Sequence, residues 1–316
     1  MDLREVCIIL PCFNESLSLP AMIGQIRDIS NDINILVVDN SSTDNSYSVA
    51  SNLGVNIVRE SKIGKGYAVR RGFLSLDANC KIVVVVDGDD TYSLARLMQA
   101  VELVNDYKYD MVVGRRIMLN PHISGRGDPF RFGHGFGNLL LSKVSHLLYS
   151  SEVLDSLSGF RVMSRNFVES FSDGASGFEL ETELNAHAFF IKAAVSNIDV
   201  EYKGRLAGTT SKLKTYRDGF KILRANLRSF WTYRPRVACS IAALFWLLIA
   251  LFLGYPIVTD YFETGLVPKF PRLIVSTGAL VISIQLWVVG TILERINITH
   301  LNQTRKTYQN WRNKER

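Results

Sequence analysis

Two long uncharged apolar runs lie near the C-terminal end of the sequence, at 237–258 and 273–293. At about 1.5 Å per residue in a helix, each run spans roughly 32 Å, which matches a bilayer core of about 30 Å. A pair of buried helices in a soluble protein is the alternative, but two such runs are rare in soluble domains. The pattern therefore predicts two transmembrane helices, at about 237–258 and 273–293. Gly254 and Pro256 lie near the end of the first run, where a helix can stop.

Upstream of these runs, short apolar segments rich in β-branched residues alternate with stretches of helical periodicity. The predicted strands are Val6–Pro11, Ile33–Asp39, Asn56–Arg59, Ile82–Asp87, Asp110–Gly114 and Val195–Tyr202. The predicted helices are Leu19–Ile29, Asp44–Leu53, Gly66–Leu76 and Leu94–Asn105. Because strands and helices alternate at this spacing, we expect residues 1–213 to form an α/β domain whose mainly parallel sheet is covered on both faces.

Composition and charge narrow the class of protein further. An apolar share of 47% with 21% charged residues excludes a disordered chain, and the four cysteines lack the paired spacing of a metal site. The net charge of +6 arises near the predicted spans, since residues 203–236 carry ten basic side chains against Asp218 alone. The tail 294–316 is basic too, so the positive-inside rule places both termini and the α/β domain in the cytoplasm.

A basic amphipathic segment, 214–236, precedes the first predicted span. Between 218 and 231, apolar residues recur at helical spacing and alternate with Lys221, Arg224 and Arg228. This pattern is typical of a helix that lies in the membrane interface with its arginines at the headgroups. Because no nucleic-acid-binding motif accompanies these charges, we expect a membrane partner and no nucleic acid.

Polar side chains follow the predicted strands at the edge where parallel sheets bind their ligands. They are Asn14 and Glu15 after the first strand, Asp39 after the second, and Asp87 and Asp89 after the fourth. Two carboxylates after a buried strand suit a hard divalent cation, although an acidic turn is the alternative interpretation. Since Mg²⁺ takes its other ligands from water and substrate phosphates, a diphosphate is the expected partner. The turn Gly64-Lys65-Gly66 allows a lysine to approach such a phosphate.

Several segments together resemble the family 2 glycosyltransferases, which have a GT-A (Rossmann-like) fold. The matching segments are Pro11-Cys12-Phe13-Asn14-Glu15, Val37-Val38-Asp39-Asn40-Ser41-Ser42-Thr43-Asp44, Gly64-Lys65-Gly66 and Asp87-Gly88-Asp89-Asp90. Three later segments are similar to the polyprenyl-phosphate branch, which includes dolichol-phosphate mannose synthases and undecaprenyl-phosphate glucosyltransferases. These are Gly114-Arg115-Arg116, Asp155-Ser156-Leu157-Ser158-Gly159-Phe160-Arg161 and Arg205-Leu206-Ala207-Gly208-Thr209-Thr210-Ser211-Lys212-Leu213. The resemblance covers roughly residues 5–235.

The resemblance implies an inverting, metal-dependent hexosyltransferase. It would move a sugar from a nucleotide sugar, UDP being favoured over GDP, to an undecaprenyl or dolichyl monophosphate. The cofactor would be Mg²⁺ or Mn²⁺, and the product would be a polyprenyl-phosphate sugar used in cell-wall, lipopolysaccharide or other glycoconjugate synthesis. The expected location is the cytoplasmic face of a bacterial inner membrane, and tetramers occur in this branch.

The resemblance also assigns roles to individual residues. The donor nucleotide would contact Pro11, Phe13, Glu15, Asp39, Asp44, Lys65, Gly66, Asp87 and Gly88. The metal ligands would be Asp87 and Asp89. The acceptor phosphate and the diphosphate would contact Arg116, Arg131, His134, Arg205, Ser211 and Lys212. The catalytic candidates are Asp89, Asp155 and Arg161.

Alternatives remain open for some of these residues and for the activity. Arg161 also suits a structural ion pair, and Asp155 suits a capping or orienting role. Glu179 and Glu181 would diverge by about 200° on a helix, so at most one of them faces the site. Asn40 replaces a frequent second acid, and His134 stands where relatives place a serine.

Two other activities compete with the favoured one. A processive polysaccharide synthase usually carries more spans and a Gln-x-x-Arg-Trp motif, of which Gln309-Asn310-Trp311-Arg312 is only a scrambled version. A non-catalytic, membrane-tethered module that binds nucleotide sugars is the third possibility. The paired carboxylates at 87 and 89 argue against it.

Overall fold

The computed structural model describes residues 1–117, 153–171, 179–203 and 234–314, together with residues 177, 224, 228 and 230–232. The chain divides into two compact units, and we describe each by itself. The first comprises Met1–Asn226 and Arg305–Arg316, and the second comprises Leu227–Thr304. The domain limits at 213, 236 and 293 stay predictions.

The first unit is built on a seven-stranded sheet. Its strands are β1 (Val6–Cys12), β2 (Asn34–Asp39), β3 (Asn56–Arg59), β4 (Ile82–Val85), β5 (Met111–Ile117), β6 (Arg161–Ser164) and β7 (Val195–Glu201). The spatial order is β3-β2-β1-β4-β6-β5-β7. Every neighbouring pair is parallel except the two that involve β6, which is antiparallel to β4 and to β5. The prediction of a mainly parallel α/β sheet is confirmed.

Within the described residues of the first unit, six α-helices accompany this sheet. They are α1 (Leu19–Ile29), α2 (Ser46–Asn52), α3 (Lys65–Leu74), α4 (Leu97–Asn105), α5 (Arg165–Ser170) and α6 (Leu180–Ile191). Side chains along a strand alternate between the two faces of a sheet. In β1, Ile8 and Leu10 therefore join one buried cluster, while Cys7 and Ile9 join a second one. Because both clusters are apolar, the strand is buried on both faces, as the unbroken apolar run predicted.

The largest differences from the predicted strands are at β4, β5 and β6. β4 ends at Val85, so Asp87 lies in the loop and not in the strand. β5 continues to Ile117 because Arg115 and Arg116 pair with Asp199 and Val200 of β7. The antiparallel strand β6 was not predicted.

Two helices form most of the second unit, α7 (Pro235–Thr264) and α8 (Phe270–Lys314). Both have stretches long and apolar enough to cross a membrane, and large apolar side chains such as Leu248 and Phe252 are exposed along them. α7 does not stop at Pro256 but continues to Thr264, and the following Gly265 has a left-handed backbone. Proline is tolerated inside membrane helices because neighbouring groups satisfy the freed backbone.

Small residues let α7 and α8 approach each other closely. Ser283 and Ser276 of α8 donate hydrogen bonds to the carbonyl oxygens of Ala243 and Ala250 of α7, at 2.8 and 2.9 Å. A side chain at Gly290 would meet the Cβ of Cys239 at 2.5 Å. Small contact residues and hydroxyl-to-carbonyl bonds are typical of helix pairs in membranes, where no hydrophobic effect drives association.

Only part of the predicted interfacial helix at 218–231 lies within the described residues. Arg224, Arg228, Phe230 and Trp231 have helical backbone, and both arginines are exposed. The remaining positions lie outside the described residues. The interfacial location stays a prediction.

Candidate active site

Three strand ends bring the expected polar residues to one edge of the sheet. The strands β2, β1 and β4 are neighbours, and Cys12 at the end of β1 is in register with Asp39 at the end of β2. Asp87 lies two residues beyond the end of β4. The loops that follow these three strands therefore converge, as expected for the ligand-binding edge of a parallel sheet.

Hydrogen bonds fix the loop after β1 to both neighbouring loops. Asn14 has a left-handed backbone (φ 55°), and its side-chain oxygen accepts from the backbone N–H of Thr43 at 2.7 Å. The hydroxyl of Ser18 donates to the carbonyl oxygen of Gly88 at 2.8 Å and lies 3.1 Å from a carboxylate oxygen of Glu15. These bonds make one connected frame of the three loops.

Two of the carboxylates expected at the donor site, Asp39 and Asp44, accept hydrogen bonds from the chain around the loop after β2. Asp39 is 3% exposed, and one of its oxygens accepts from the backbone N–H of Ser42 at 3.2 Å. Asp44 accepts from the backbone N–H of Ser46 at 2.9 Å and of Ser16 at 3.2 Å. Although burial opposes it, hydrogen bonding from Ser46 and Ser16 lowers the pKa of Asp44. Asp44 therefore holds loop structure, whereas Asp39 lies at the strand end itself.

Asn40 organises the turn that precedes α3. Its amide nitrogen donates to the carbonyl oxygen of Lys62 at 2.7 Å, and its amide oxygen accepts from the N–H of Gly64 at 2.7 Å. Gly64 has a φ of 148°, which few other residues adopt. A carboxylate at position 40 can accept from Gly64 but cannot donate to Lys62. The departure from the family pattern thus has a local structural reason.

The two expected metal ligands are held by different neighbours. Asp89 is 8% exposed, and its Oδ1 accepts from the hydroxyl of Thr91 at 2.6 Å. The Oδ1 of Asp87 lies 2.6 Å from the Nζ of Lys65. A side chain at Gly159 would overlap the other oxygen of Asp87, so only glycine leaves room for this carboxylate.

These carboxylates suit a hard divalent cation that completes its coordination with substrate oxygens. Among the described residues, no group of three or more His, Cys, Asp or Glu side chains could hold a metal by itself. Magnesium-type sites need no such group, because one or two carboxylates plus phosphates and water suffice. The donor set of Asp87 and Asp89 therefore fits Mg²⁺ or Mn²⁺ together with a diphosphate.

Lys65 at the start of α3 is bound by two carboxylates. Its Nζ lies 2.6 Å from Asp87 and 2.5 Å from the Oε1 of Glu181 on α6. Burial opposes the charge, yet Asp87 and Glu181 together raise the pKa of Lys65. Sequence reasoning allowed at most one of Glu179 and Glu181 to face the site, and Glu181 is the one that contacts Lys65. The pairing itself was not predicted.

Arg116 and Asp155 form a bidentate ion pair. The Nε and Nη2 of Arg116 donate to the two carboxylate oxygens of Asp155 at 2.7 and 2.8 Å. Burial opposes the charge, but hydrogen bonding to Asp155 raises the pKa of Arg116. The guanidinium also lies 5.5 Å from the ring centre of Tyr202. With both oxygens engaged, Asp155 is placed to orient Arg116, which favours the orienting alternative over a free general base.

Arg161 lies inside the protein. It is 1% exposed and donates to the carbonyl oxygens of Ser156 and Ser158, each at 3.2 Å. It also donates to the side-chain oxygen of Asn185 on α6 at 2.7 Å. Burial lowers the pKa of Arg161 to about 10. A side chain so enclosed fixes the segment before β6 against α6, which favours the structural alternative.

The remaining predicted residues divide into two groups. Pro11 and Phe13 lie at the end of β1, Gly66 lies in the first turn of α3, and Gly88 lies between the two metal-ligand candidates. The acceptor and diphosphate candidates that lie outside the described residues are Arg131, His134, Arg205, Ser211 and Lys212.

Comparison with known proteins identifies the family of this chain. The model of glycosyl transferase family 2 matches residues 7–170, more than half of the chain. Glycosyltransferase AglJ of Haloferax volcanii is 26% identical over 310 residues, which cover 95% of this chain and 96% of that protein. The dolichyl-phosphate hexose transferase of the same organism is 24% identical over 218 residues, which cover 69% and 90%.

A solved structure shares the fold. Glucosyl-3-phosphoglycerate synthase from Mycobacterium tuberculosis, in complex with Mn²⁺, UDP-glucose and phosphoglyceric acid, aligns with a TM-score of 0.55. The two proteins are 19% identical, and the alignment covers 71% of this chain and 79% of the other. The likeness confirms the expected GT-A fold.

Proposed function

Because this chain belongs to glycosyl transferase family 2, we propose that it transfers a hexose from a nucleotide sugar to a polyprenyl monophosphate. The observation that carries the proposal is the Asp87–Asp89 pair at the ligand-binding edge of the sheet, in a chain whose two apolar helices can cross a membrane. The dolichyl-phosphate hexose transferase that aligns with 69% of the chain supports a lipid-phosphate acceptor. The basic flanks of both helices support a location at the cytoplasmic face, which we assign to a bacterial inner membrane.

The donor is assigned to the loops after β1, β2 and β4. Asp39 contacts the nucleoside, while Asp87 and Asp89 hold Mg²⁺ or Mn²⁺ with the diphosphate. A structural neighbour was crystallised with Mn²⁺ and UDP-glucose, which supports UDP as the nucleotide. When bound, the cation supplies positive charge where the leaving diphosphate develops negative charge. Lys65 adds a fixed ammonium beside this position.

The acceptor is assigned to Arg116. Asp155 holds its guanidinium in one orientation, so the arginine can receive a phosphate without reorganising. A phosphate monoester has a second pKa of about 6 and is mostly a dianion at pH 7. Such a nucleophile attacks the anomeric carbon without a general base. Among the described residues, the carboxylate that contacts Arg116 has both oxygens engaged by it, which agrees with a phosphate acceptor better than with an alcohol.

The proposal is tested by transfer from radiolabelled UDP- and GDP-sugars to undecaprenyl phosphate in detergent, with Mg²⁺ or Mn²⁺ and an EDTA control. We expect one labelled lipid, lost with EDTA. Asp89→Asn should lower the rate by about 100-fold or more, since it removes a charge that holds the cation. The matched control is Asp90→Asn, because Asp90 is bound instead by the side chain of Gln25.

Other results would reject parts of the proposal. Transfer that survives both EDTA and Asp89→Asn would exclude the metal site. A polymeric product would indicate a processive synthase. Nucleotide binding without transfer to any lipid phosphate would indicate a binding module.

A further inference from the structure

A buried ion cluster joins the metal-ligand candidates to α6. The Nζ of Lys65 lies 2.5 Å from the Oε1 of Glu181 and 2.6 Å from the Oδ1 of Asp87. The side chains of Lys65 and Glu181 are 12% and 5% exposed, so water screens this pair weakly. Glu181 belongs to α6, whereas Lys65 begins α3, and the two residues are 116 positions apart in the chain.

This cluster is costly for a purely structural feature. Removing two charges from water costs several kcal/mol for each ion, and attraction between them offsets that cost only when all their polar atoms are satisfied. The Oε2 of Glu181 is buried and has no hydrogen-bond partner in the part of the chain that the structure describes. Buried polar atoms without partners are uncommon in folded proteins and call for an explanation.

The charges of the cluster provide an explanation. Asp87, Asp89, Glu181 and Lys65 together carry a formal charge of minus two, which one divalent cation neutralises. Without Glu181, the ammonium of Lys65 would cancel one of the two charges that attract the cation. Glu181 therefore balances Lys65, and the pair Asp87–Asp89 keeps its charge for the metal.

The geometry adds a second effect. Lys65 lies against one oxygen of Asp87, while the backbone at Gly159 lies close to the other. If Glu181 holds Lys65, it also fixes the orientation of the Asp87 carboxylate. Groups that orient a metal ligand typically change metal affinity by about 10- to 100-fold when they are removed.

We propose that Glu181 is a positioning residue of the cation and diphosphate site, which acts through Lys65 on Asp87. The inference rests on the proposed function, because it requires that Asp87 and Asp89 bind a divalent cation with a nucleoside diphosphate. Glu181 itself contacts neither the cation nor the sugar in this account.

The test is Mn²⁺ binding to the full-length protein in detergent, measured by electron paramagnetic resonance in the presence of UDP. We expect Glu181→Gln to weaken Mn²⁺ binding by about 10-fold or more. The matched control is Glu183→Gln, which removes another buried carboxylate from α6, two residues away and on a different side of the helix. It should bind Mn²⁺ like the wild type.

A role that acts through Lys65 makes a further demand. Once Lys65 is replaced, Glu181→Gln should cause no additional loss of Mn²⁺ affinity. The double variant Lys65→Met with Glu181→Gln should therefore bind Mn²⁺ as tightly as the single variant Lys65→Met. It contains no unbalanced buried charge, so it also serves if the single variant Glu181→Gln fails to fold.

Three results would overturn the inference. They are unchanged Mn²⁺ binding in Glu181→Gln, equal losses in Glu181→Gln and Glu183→Gln, and weaker binding in the double variant than in Lys65→Met alone. Wild-type protein that binds no Mn²⁺ with UDP would instead reject the metal-dependent function from which the inference starts.

Discussion

Asp155→Asn separates an orienting role from a catalytic one. The substitution keeps the shape of the side chain but replaces one of the oxygens that accept from Arg116 with an NH₂ group. The pair is mostly enclosed, since the side chains of Arg116 and Asp155 are 20% and 11% exposed. One hydrogen bond to a charged group is lost, and an N–H then faces an N–H. We estimate the cost at about 2 kcal/mol, within the range for hydrogen bonds to charged groups.

If Asp155 only orients Arg116, the substitution should weaken binding of the acceptor lipid by this amount. A loss of about 2 kcal/mol corresponds to roughly a 30-fold rise in the KM for polyprenyl phosphate. The kcat should stay within a few-fold of the wild type, and the KM for the nucleotide sugar should not change. The assay is steady-state transfer with each substrate varied in turn. The matched control is Asp199→Asn. It alters the exposed ion pair between Asp199 and Arg115, and Arg115 is the neighbour of Arg116 on β5. A general base would behave differently, because its loss lowers kcat by about 100- to 10,000-fold. A fall of that size with an unchanged KM for lipid would refute the orienting role.

Two further predictions concern residues of the first unit. Burial lowers the pKa of His187 to about 4, so the neutral ring stabilises the fold above pH 6.5 and this contribution is lost as the pH falls toward 4. At pH 5 the loss is about 2 kcal/mol, so the Tm in detergent should fall between pH 7 and 5, and His187→Gln should flatten this slope. Gly159→Ala should weaken Mn²⁺ binding in the resonance assay by about 10-fold because Asp87 must move, whereas Gly24→Ala, which has open space around it, should not.

Much of the fold could be predicted because hydrophobic periodicity is a local signal. Helix α1 and strand β3 have the predicted bounds, and the other predicted strands differ by a few residues at their ends. Strand β6 could not be predicted, because its sequence, Arg-Val-Met-Ser, contains only two apolar residues. Its place between β4 and β5 depends on pairing with segments about 50 to 80 positions away in the chain.

The C-terminal end of α7 shows where the helix-breaking rule for proline fails. Pro256 normally ends a helix, because it lacks an N–H and its ring clashes with the preceding turn. The helix α7 nevertheless continues past Pro256 to Thr264. A breaker rule drawn from soluble helices fails for a helix apolar enough to cross a membrane, because proline is tolerated there.

The site was predictable only as far as the strands position it. Asp39, Asp87 and Asp89 follow apolar strands, and their meeting at one edge is a consequence of the parallel sheet. No pattern in the sequence identifies the residues that pair with Lys65 and Arg116. Glu181 and Asp155 are separated from them by 116 and 39 positions, and a polar contact of this kind produces no periodic pattern.

Those two pairs change the chemical interpretation of the site. A carboxylate near a candidate site suggests a general base, yet Asp155 and Glu181 are each bound to a cation. Each cation is therefore charged and oriented before substrate arrives, which is the condition under which fixed charges stabilise a transition state most effectively. An enzyme whose acceptor is a phosphate dianion needs no general base to take a proton from the acceptor, so these two ion pairs agree with the lipid-phosphate acceptor proposed above.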